Sequence, residues 1–366
     1  MKKYSFLFSL VIAAFVAVGC SKWTETERLT YDNQDVQKLV YLIEAQKESD
    51  LNPHMREYYK KLREEYRTKP RVKGFGWFGN WTGKGDNAQN YLRCLPDSVD
   101  FVSLWGTRGK LSEEQKIDLK FFQEVKGGKA LLCWIVQDLG GPLTPVGKDR
   151  IQYWKNEKGG GNFNEGVKAY ANAIADTIEK YNLDGFDIDF EPGYGHSGDL
   201  ADVSYIGDIA GDNPMQVFIE TLSARLRPKG RMLVMDGEPY YLSKETSKLV
   251  DHYIYQAYWE RSTNSVKWKI QQGDLDDWER KTIITVEFEQ TWRTGGVSGY
   301  RSVRSELNSM EGTQILDYAT FDLPSGKRIG GVGSYHMEYD YANNPEYKWL
   351  RKALYYGNQK YPGNYQ

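Results

Sequence analysis

Short runs with the residue pattern of β-strands recur along the chain, and amphipathic helical stretches lie between them. The strand-like runs fall at 72–78, 99–105, 129–136, 186–190, 231–236, 252–258, 282–288 and 330–336. The third is apolar almost throughout, as a strand covered on both faces should be. Helical periodicity appears at 111–122, where Ser112 precedes Glu113 and Glu114, a helix-start signal. It returns at 164–181, with Val167, Tyr170, Ala171, Ile174, Thr177 and Ile178 at i, i+3, i+4 spacing. Asn213-Pro214 opens another helix running through Phe218, Leu222 and Leu226, a short one is read at 243–250, and one at 346–356 closes the chain. Eight strands alternating with helices predict an α/β fold, a (β/α)8 TIM barrel forming a single domain. An open doubly wound sheet is the alternative, because the fifth-to-sixth link is short and no clear helix follows the seventh strand.

Ahead of this rhythm the pattern changes. Residues 35–48 and 53–67 read as helices, the second with Met55, Tyr58, Tyr59, Leu62 and Tyr66 on one side. Such a segment either caps the bottom of a barrel or serves as a solvated spacer. Lys2 and Lys3 precede an apolar stretch, residues 4–18, too short to span a bilayer comfortably. It ends Ala17-Val18-Gly19-Cys20, which resembles a bacterial lipobox. The expected organisation is a signal peptide over 1–19, a tether and helical segment over 20–70, and the barrel over 71–366. Cleavage leaves Cys20 as a lipidated N-terminus, anchoring the protein to the bacterial cell envelope, at the outer membrane and cell surface. A plain secretory signal with an incidental cysteine is the alternative.

Composition narrows the chemistry. The 366 residues carry a formal net charge of −2, which argues against a nucleic-acid or anionic-membrane footprint. Membrane association is therefore expected through the lipid anchor only, and a monomer is expected. Cys94 and Cys133 adjoin apolar runs and are read as buried free thiols. No CxxC or Cys/His cluster appears, and none of the four histidines has ligand spacing with another, so neither a metal nor a cofactor is expected. The 11 Trp and 27 Tyr suit a groove on which sugar rings stack, or simply a Tyr-rich surface.

The most informative stretch is Leu183-Asp184-Gly185-Phe186-Asp187-Ile188-Asp189-Phe190-Glu191-Pro192. On a strand, alternate side chains face opposite ways, so Asp187, Asp189 and Glu191 share one face and Phe186, Ile188 and Phe190 the other. An acid–apolar alternation is often a solvated edge. Here the aromatic backing and the flanking Asp184-Gly185 and Pro192 favour a strand packed on helices with its acids towards a cavity. Pro192 ends the ladder and leaves Glu191 at the C-terminal rim. Barrel active sites lie at that face. Trp77 and Trp81, Trp105, Gln137 and Asp138, Asp236 and Glu238, Gln256 and Tyr258, Glu287, Tyr335 and Glu338 also fall there, walled by long loops after the third and fourth strands. Trp259 and Trp292 are further aromatic candidates.

The spacing D-G-x-D-x-D-x-E resembles the active-site strand of glycoside hydrolase family 18, which contains chitinases and endo-β-N-acetylglucosaminidases. Gln256-Ala257-Tyr258 on the sixth strand is similar to the Gln-x-Tyr of members acting on N-glycans, where chitinases tend to show Met-x-Tyr. The resemblance covers residue 71 to the C-terminus. It implies a substrate-assisted reaction in which the 2-acetamido oxygen attacks its own anomeric carbon. Glu191 would protonate the leaving oxygen and later activate water. Asp189 would orient the acetamido N–H and stabilise the oxazolinium, and Asp187 would share a proton with Asp189. Tyr258 and Gln256 would hold the acetamido carbonyl and the reacting sugar, with Trp77, Trp105, Glu287 and Tyr335 as further substrate contacts. The function implied is cleavage of the GlcNAc-β1,4-GlcNAc core of N-glycans on glycoprotein substrates. A chitinase and a non-catalytic glycan-binding lipoprotein are the alternatives.

Overall fold

The computed structural model describes residues 36–201 and 212–360, so the signal stretch and Cys20 lie outside the described residues. Eight parallel strands close into a barrel in sequence order. They are β1 (Lys73–Phe78), β2 (Val99–Leu104), β3 (Lys129–Ile135), β4 (Gly185–Phe190), β5 (Met232–Gly237), β6 (His252–Gln256), β7 (Thr282–Glu287) and β8 (Gly331–Tyr335). The open-sheet alternative is excluded by the last pairing: Lys73, Gly74, Phe75 and Gly76 of β1 sit opposite Gly331, Val332, Gly333 and Ser334 of β8.

Strand alternation sorts the side chains into two cores. The inward set is unusually aromatic: Phe75, Trp77 and Phe101 pack in the lumen with Leu131, Cys133, Val234, Ile254 and Ile283. The outward set, including Phe186, Ile188 and Phe190 of β4, packs against the helices in the main core. Both free cysteines are buried, Cys133 in the lumen and Cys94 on the flank, as the sequence predicts.

The helices are α1 (Val36–Glu44), α2 (Pro53–Lys61), α3 (Glu113–Glu124), α4 (Phe163–Lys180), α5 (Pro214–Leu226), α6 (Lys244–Ser247), α7 (Thr263–Ile270), α8 (Trp278–Lys281), α9 (Thr313–Ala319) and α10 (Lys348–Lys360). Local chemistry sets their starts. The Ser112 side chain accepts from the Gln115 backbone N–H, and Gln115 returns a bond to Ser112 in a capping box. The Asn162 side chain accepts from the Glu165 N–H to cap α4, and the Asn213 side chain accepts from the Met215 N–H to cap α5. The short fifth-to-sixth link and the connection after the seventh strand are the irregular ones. β5 and β6 are joined through the four-residue α6, and only the seven-residue α9 packs between β7 and β8.

The connection from β1 to β2 has two 3-10 turns, Ala88–Asn90 and Leu92–Cys94, and no α-helix. The N-terminal helices cover that gap. Leu39, Leu42, Ala45, Leu51, Tyr59 and Leu62 form a separate core with Ala88, Tyr91, Cys94, Phe121 and Val125. Arg63 donates to the Val125 carbonyl and Arg67 to the Val99 carbonyl, both at 2.6 Å. The segment is therefore packed on the flank and lower rim of the barrel, and is not a solvated spacer. No described helix is long and apolar enough to cross a membrane.

Candidate active site

Each position of the β4 motif has a distinct physical task. The Asp184 carboxylate accepts from the Ala130 backbone N–H at 2.8 Å and from the Gln123 amide at 2.7 Å, which clamps the strand's entry to β3 and α3. Gly185 follows because β5 comes too close for a side chain: a Cβ there would stand 2.0 Å from the Met232 carbonyl oxygen. Asp187 and Asp189 then point inward, opposite Cys133 and Ile135 of β3. On the other side Asp189 lies opposite Asp236 of β5. Glu191 leaves the strand with φ −133° and ψ 57°, and Pro192 begins a 3-10 turn. The Tyr194 and His196 backbone N–H groups both donate to the Glu191 carbonyl, at 3.0 and 3.3 Å.

The acids differ in exposure. Asp187 and Asp236 are fully buried, Asp189 is 4% exposed, and Glu191 is partly open. Asp187 accepts from the Ser103 hydroxyl at 2.5 Å, and Asp236 accepts from the Gln256 amide at 2.7 Å. One oxygen of each of Asp187, Asp189 and Asp236 has no donor from the protein. Buried carboxylates facing one another satisfy such oxygens by sharing protons. The electrostatics agree. Burial pushes Asp187 up to about 6, against hydrogen bonds from Ser103, Asp236, Cys133 and Trp77 that favour its charge. Asp189 is held well above the carboxylate range by burial and by the charges of Glu191 and Asp187. Asp236 is raised by burial and then by Asp189 and Asp187. Glu191 is raised by burial, while His196, the Gln256 amide and Lys269 favour its charged form and Glu238 opposes it. These groups titrate as one set. Every member is raised, and Glu191 is the one nearest solvent.

Aromatic rings form the opposite wall. Trp77 meets Tyr258 and Tyr335 edge-on, with centroids 6.3 and 6.2 Å apart. Tyr258 and Tyr335 stack at 5.8 Å, and Trp105 meets Tyr335 at 5.7 Å. Trp77 is 2% exposed and forms the floor, while Trp105, Tyr258 and Tyr335 are partly open. The structure thus brings Asp187, Asp189, Glu191, Gln256, Tyr258, Trp77, Trp105 and Tyr335 together in the lumen and at the C-terminal rim of the barrel. Glu287 also faces inward at the end of β7, 4% exposed, with its carboxylate accepting the Gln290 backbone N–H at 2.9 Å.

Two expectations need correction. Trp81 does not reach the cleft: it packs in the outer core, and its indole donates to buried Asp118 at 2.7 Å. Glu338 is not a cleft acid either. It is fully buried, pairs with His336 Nδ1 at 2.6 Å and accepts the Gly79 N–H at 3.0 Å, tying the ends of β8 and β1 together. Trp292 packs against the main core beneath Arg293, whereas Trp259 is 52% exposed.

Sequence reasoning missed Ser103, Cys133, His196 and Lys269. Ser103 and Cys133 share inward strand parity with the acids, but nothing in their own neighbourhood marks them. His196 is brought to Glu191 by the turn at Pro192. Among the described residues two triplets bring ligand-type atoms within 4.8 Å of one another: Cys133, Asp187 and Asp236, and Asp189, Glu191 and His196. The first is sealed in the lumen, and the second contains the acid at the cleft mouth.

A profile described as glycoside hydrolase family 18, BT1044-like, matches residues 40–355. A solved structure of BT1044, a selenomethionine form with a glutamate-to-glutamine substitution, is 76% identical, covers 89% of this chain and 99% of that chain, and superposes with a TM-score of 0.85. An endo-β-N-acetylglucosaminidase from Cordyceps militaris is 16% identical, with 86% and 99% covered and a TM-score of 0.56. The C-terminal domain of a putative chitinase from Desulfitobacterium hafniense DCB-2 is 15% identical, with 79% and 99% covered and a TM-score of 0.52. The last two share the barrel. No curated protein matches the chain.

Proposed function

The chain belongs to glycoside hydrolase family 18, and from that membership and the geometry of this cleft we propose that it is an endo-β-N-acetylglucosaminidase cutting the GlcNAc-β1,4-GlcNAc core of N-linked glycans. The observation that carries the mechanism is the grading of exposure along β4. Glycosidases of the common type need two carboxyl groups flanking the scissile bond. Here Asp187, Asp189 and Glu191 stand on one strand face, the first two are buried, and Glu191 alone of the three opens to the cleft. One proton-carrying acid suits a reaction in which the substrate supplies its own nucleophile, the 2-acetamido oxygen.

In this reading Glu191, whose carboxyl burial raises above its ordinary value, gives its proton to the leaving glycosidic oxygen. The acetamido oxygen closes on the anomeric carbon and an oxazolinium forms. The unpaired Asp189 oxygen takes the acetamido N–H, and the proton-sharing set beneath it, Asp187 and Asp236, lets Asp189 carry charge as the ring becomes cationic. Glu191, now ionised, takes a proton from water, which opens the oxazolinium with net retention. Tyr258 holds the acetamido carbonyl, and Trp77, Trp105 and Tyr335 stack on the sugar. Gln256 bonds Asp236 and Glu191, and the resemblance of Gln256-Ala257-Tyr258 to the Gln-x-Tyr of members acting on N-glycans supports the N-glycan substrate over a GlcNAc polymer. A lipidated Cys20 would keep the enzyme at the cell envelope with glycoproteins as its partners.

The test is mass spectrometry of N-glycoproteins and of GlcNAc oligomers after incubation with the parent and with Glu191→Gln. The expected result is glycan release that leaves one GlcNAc on the protein, with kcat lowered roughly 10²–10⁴-fold in the variant and glycan binding retained. Cleavage of GlcNAc oligomers alone would replace this reading with a chitinase. Binding without turnover in the parent would replace it with a glycan-binding protein.

A further inference from the structure

Helix α7 buries a lysine and exposes a tryptophan. Thr263, Val266, Lys269 and Ile270 face the protein, while Trp268 is 70% exposed. Burial of Trp268 in place of Lys269 would remove more apolar surface from water and no charge. The ammonium is nonetheless taken in, with the residue 8% exposed. Among the described residues its hydrogen-bond partners are uncharged. It donates to the Gln256 carbonyl at 2.9 Å and to the Tyr194 hydroxyl at 3.1 Å, and it sits 5.2 Å from the centre of the Tyr194 ring.

Those partners belong to the two halves of the catalytic rim. Tyr194 is in the turn directly after Glu191 and donates its backbone N–H to the Glu191 carbonyl at 3.0 Å. Gln256 ends β6 and donates its amide to Asp236 at 2.7 Å. We propose that Lys269 is a positioning residue for the hydrolysis, its buried ammonium pinning the Glu191 turn to the end of β6 so that the acid and the Gln256 amide move as one unit. A buried amine that hydrogen-bonds no carboxylate is costly. It is retained in α7 because it braces the turn after β4 and the end of β6, which no backbone ladder joins, β5 lying between them.

The charge acts as well. Glu191 is faced by Asp189 and Glu238, which disfavour its ionised form, and by His196, the Gln256 amide and Lys269, which favour it. Removal of the ammonium lets Glu191 keep its proton to higher pH. A purely structural role for Lys269 would not move that limb of the pH profile.

This inference rests on Glu191 being the acid, so Glu191→Gln is assayed alongside. Lys269→Met and Lys269→Arg are compared with the parent for kcat and KM on the cleaved substrate from pH 4 to 9 and for thermal unfolding. The expected result for Lys269→Met is a kcat lower by about tenfold or more, an alkaline limb moved upward, and a Tm equal to or above the parent's, since an unpaired buried charge is gone. Lys269→Arg restores kcat to within about threefold of the parent. Parent-like kcat and pH limb in Lys269→Met overturn the proposal, as does a loss of kcat with a lowered Tm and an unmoved limb. Turnover retained in Glu191→Gln would overturn the acid assignment itself, whereas an inert Glu191→Gln leaves the Lys269 variants to judge Lys269 alone.

Discussion

Asp187 shows what a single buried acid does to the whole molecule. Its carboxyl is raised to about 6 by burial, above the roughly 3.9 of an unfolded chain. Between those values the native state binds more protons than the unfolded state. Stability therefore falls as pH rises through that window, opposite to a salt-bridged aspartate. Asp189 and Asp236 are raised as well and extend the decline to higher pH. Asp187→Asn can still accept from Ser103, and its amide offers Asp236 a donor. Thermal unfolding from pH 4 to 7 is expected to show the variant gaining on the parent as pH rises, by several degrees at pH 7. A difference constant across that range would mean that Asp187 does not carry the linkage. The parity of Asp187, Asp189 and Glu191 was legible because a strand has period two and the motif is local. Asp236 was legible only as a residue at the rim, and Ser103 and Lys269 not at all. Their proximity to the acids is created by barrel closure and by the rotation of α7 about its axis, and neither leaves a local mark on the chain.

At the scale of the element, β4 is specified from both ends. Asp184 fixes its register to β3 through the Ala130 N–H, and Gly185 lets the Met232 carbonyl approach from β5. The motif thus contains two residues that never meet the sugar. Gly185→Ala would drive a Cβ into that carbonyl, and relief requires β4 and β5 to part at their entry. A destabilisation of about 3 kcal/mol is expected, read by urea unfolding, with a fall in kcat as Asp189 and Asp236 lose register. Parent-like stability would show that the strands yield without strain. The strands were legible within a residue or two because each is apolar on at least one face and bounded by turn residues. α6 lies inside the short helix read at 243–250, whereas α9 resisted because seven residues are too few to display a 3.6-residue period.

At the scale of the molecule, the barrel is incomplete without the chain that precedes it. A (β/α)8 barrel covers each strand pair with a helix, yet the β1-to-β2 connection supplies only two 3-10 turns. The sheet there would be left with Ala88, Tyr91, Cys94, Phe121 and Val125 partly bare. α1 and the segment from Pro53 to Tyr66 close it, with Leu42 at 2% and Tyr59 at 0% exposure, and Arg93 spans from the Ala45 carbonyl to Asp118. None of this core's residues is one of the cleft acids or cleft aromatics. Its loss should lower stability before it touches chemistry. Leu42→Ala is expected to cost about 2–4 kcal/mol in urea unfolding while kcat and KM stay within twofold of the parent under native conditions. A protein starting at residue 71 is expected to unfold at least about 10 °C lower or to aggregate, because five apolar side chains lose their cover at once. If that truncated protein instead melted with the parent, the helices would be passengers on a self-sufficient barrel. The flank of α3 and the β1-to-β2 turns would then have to be stable while facing water, which their apolar composition argues against.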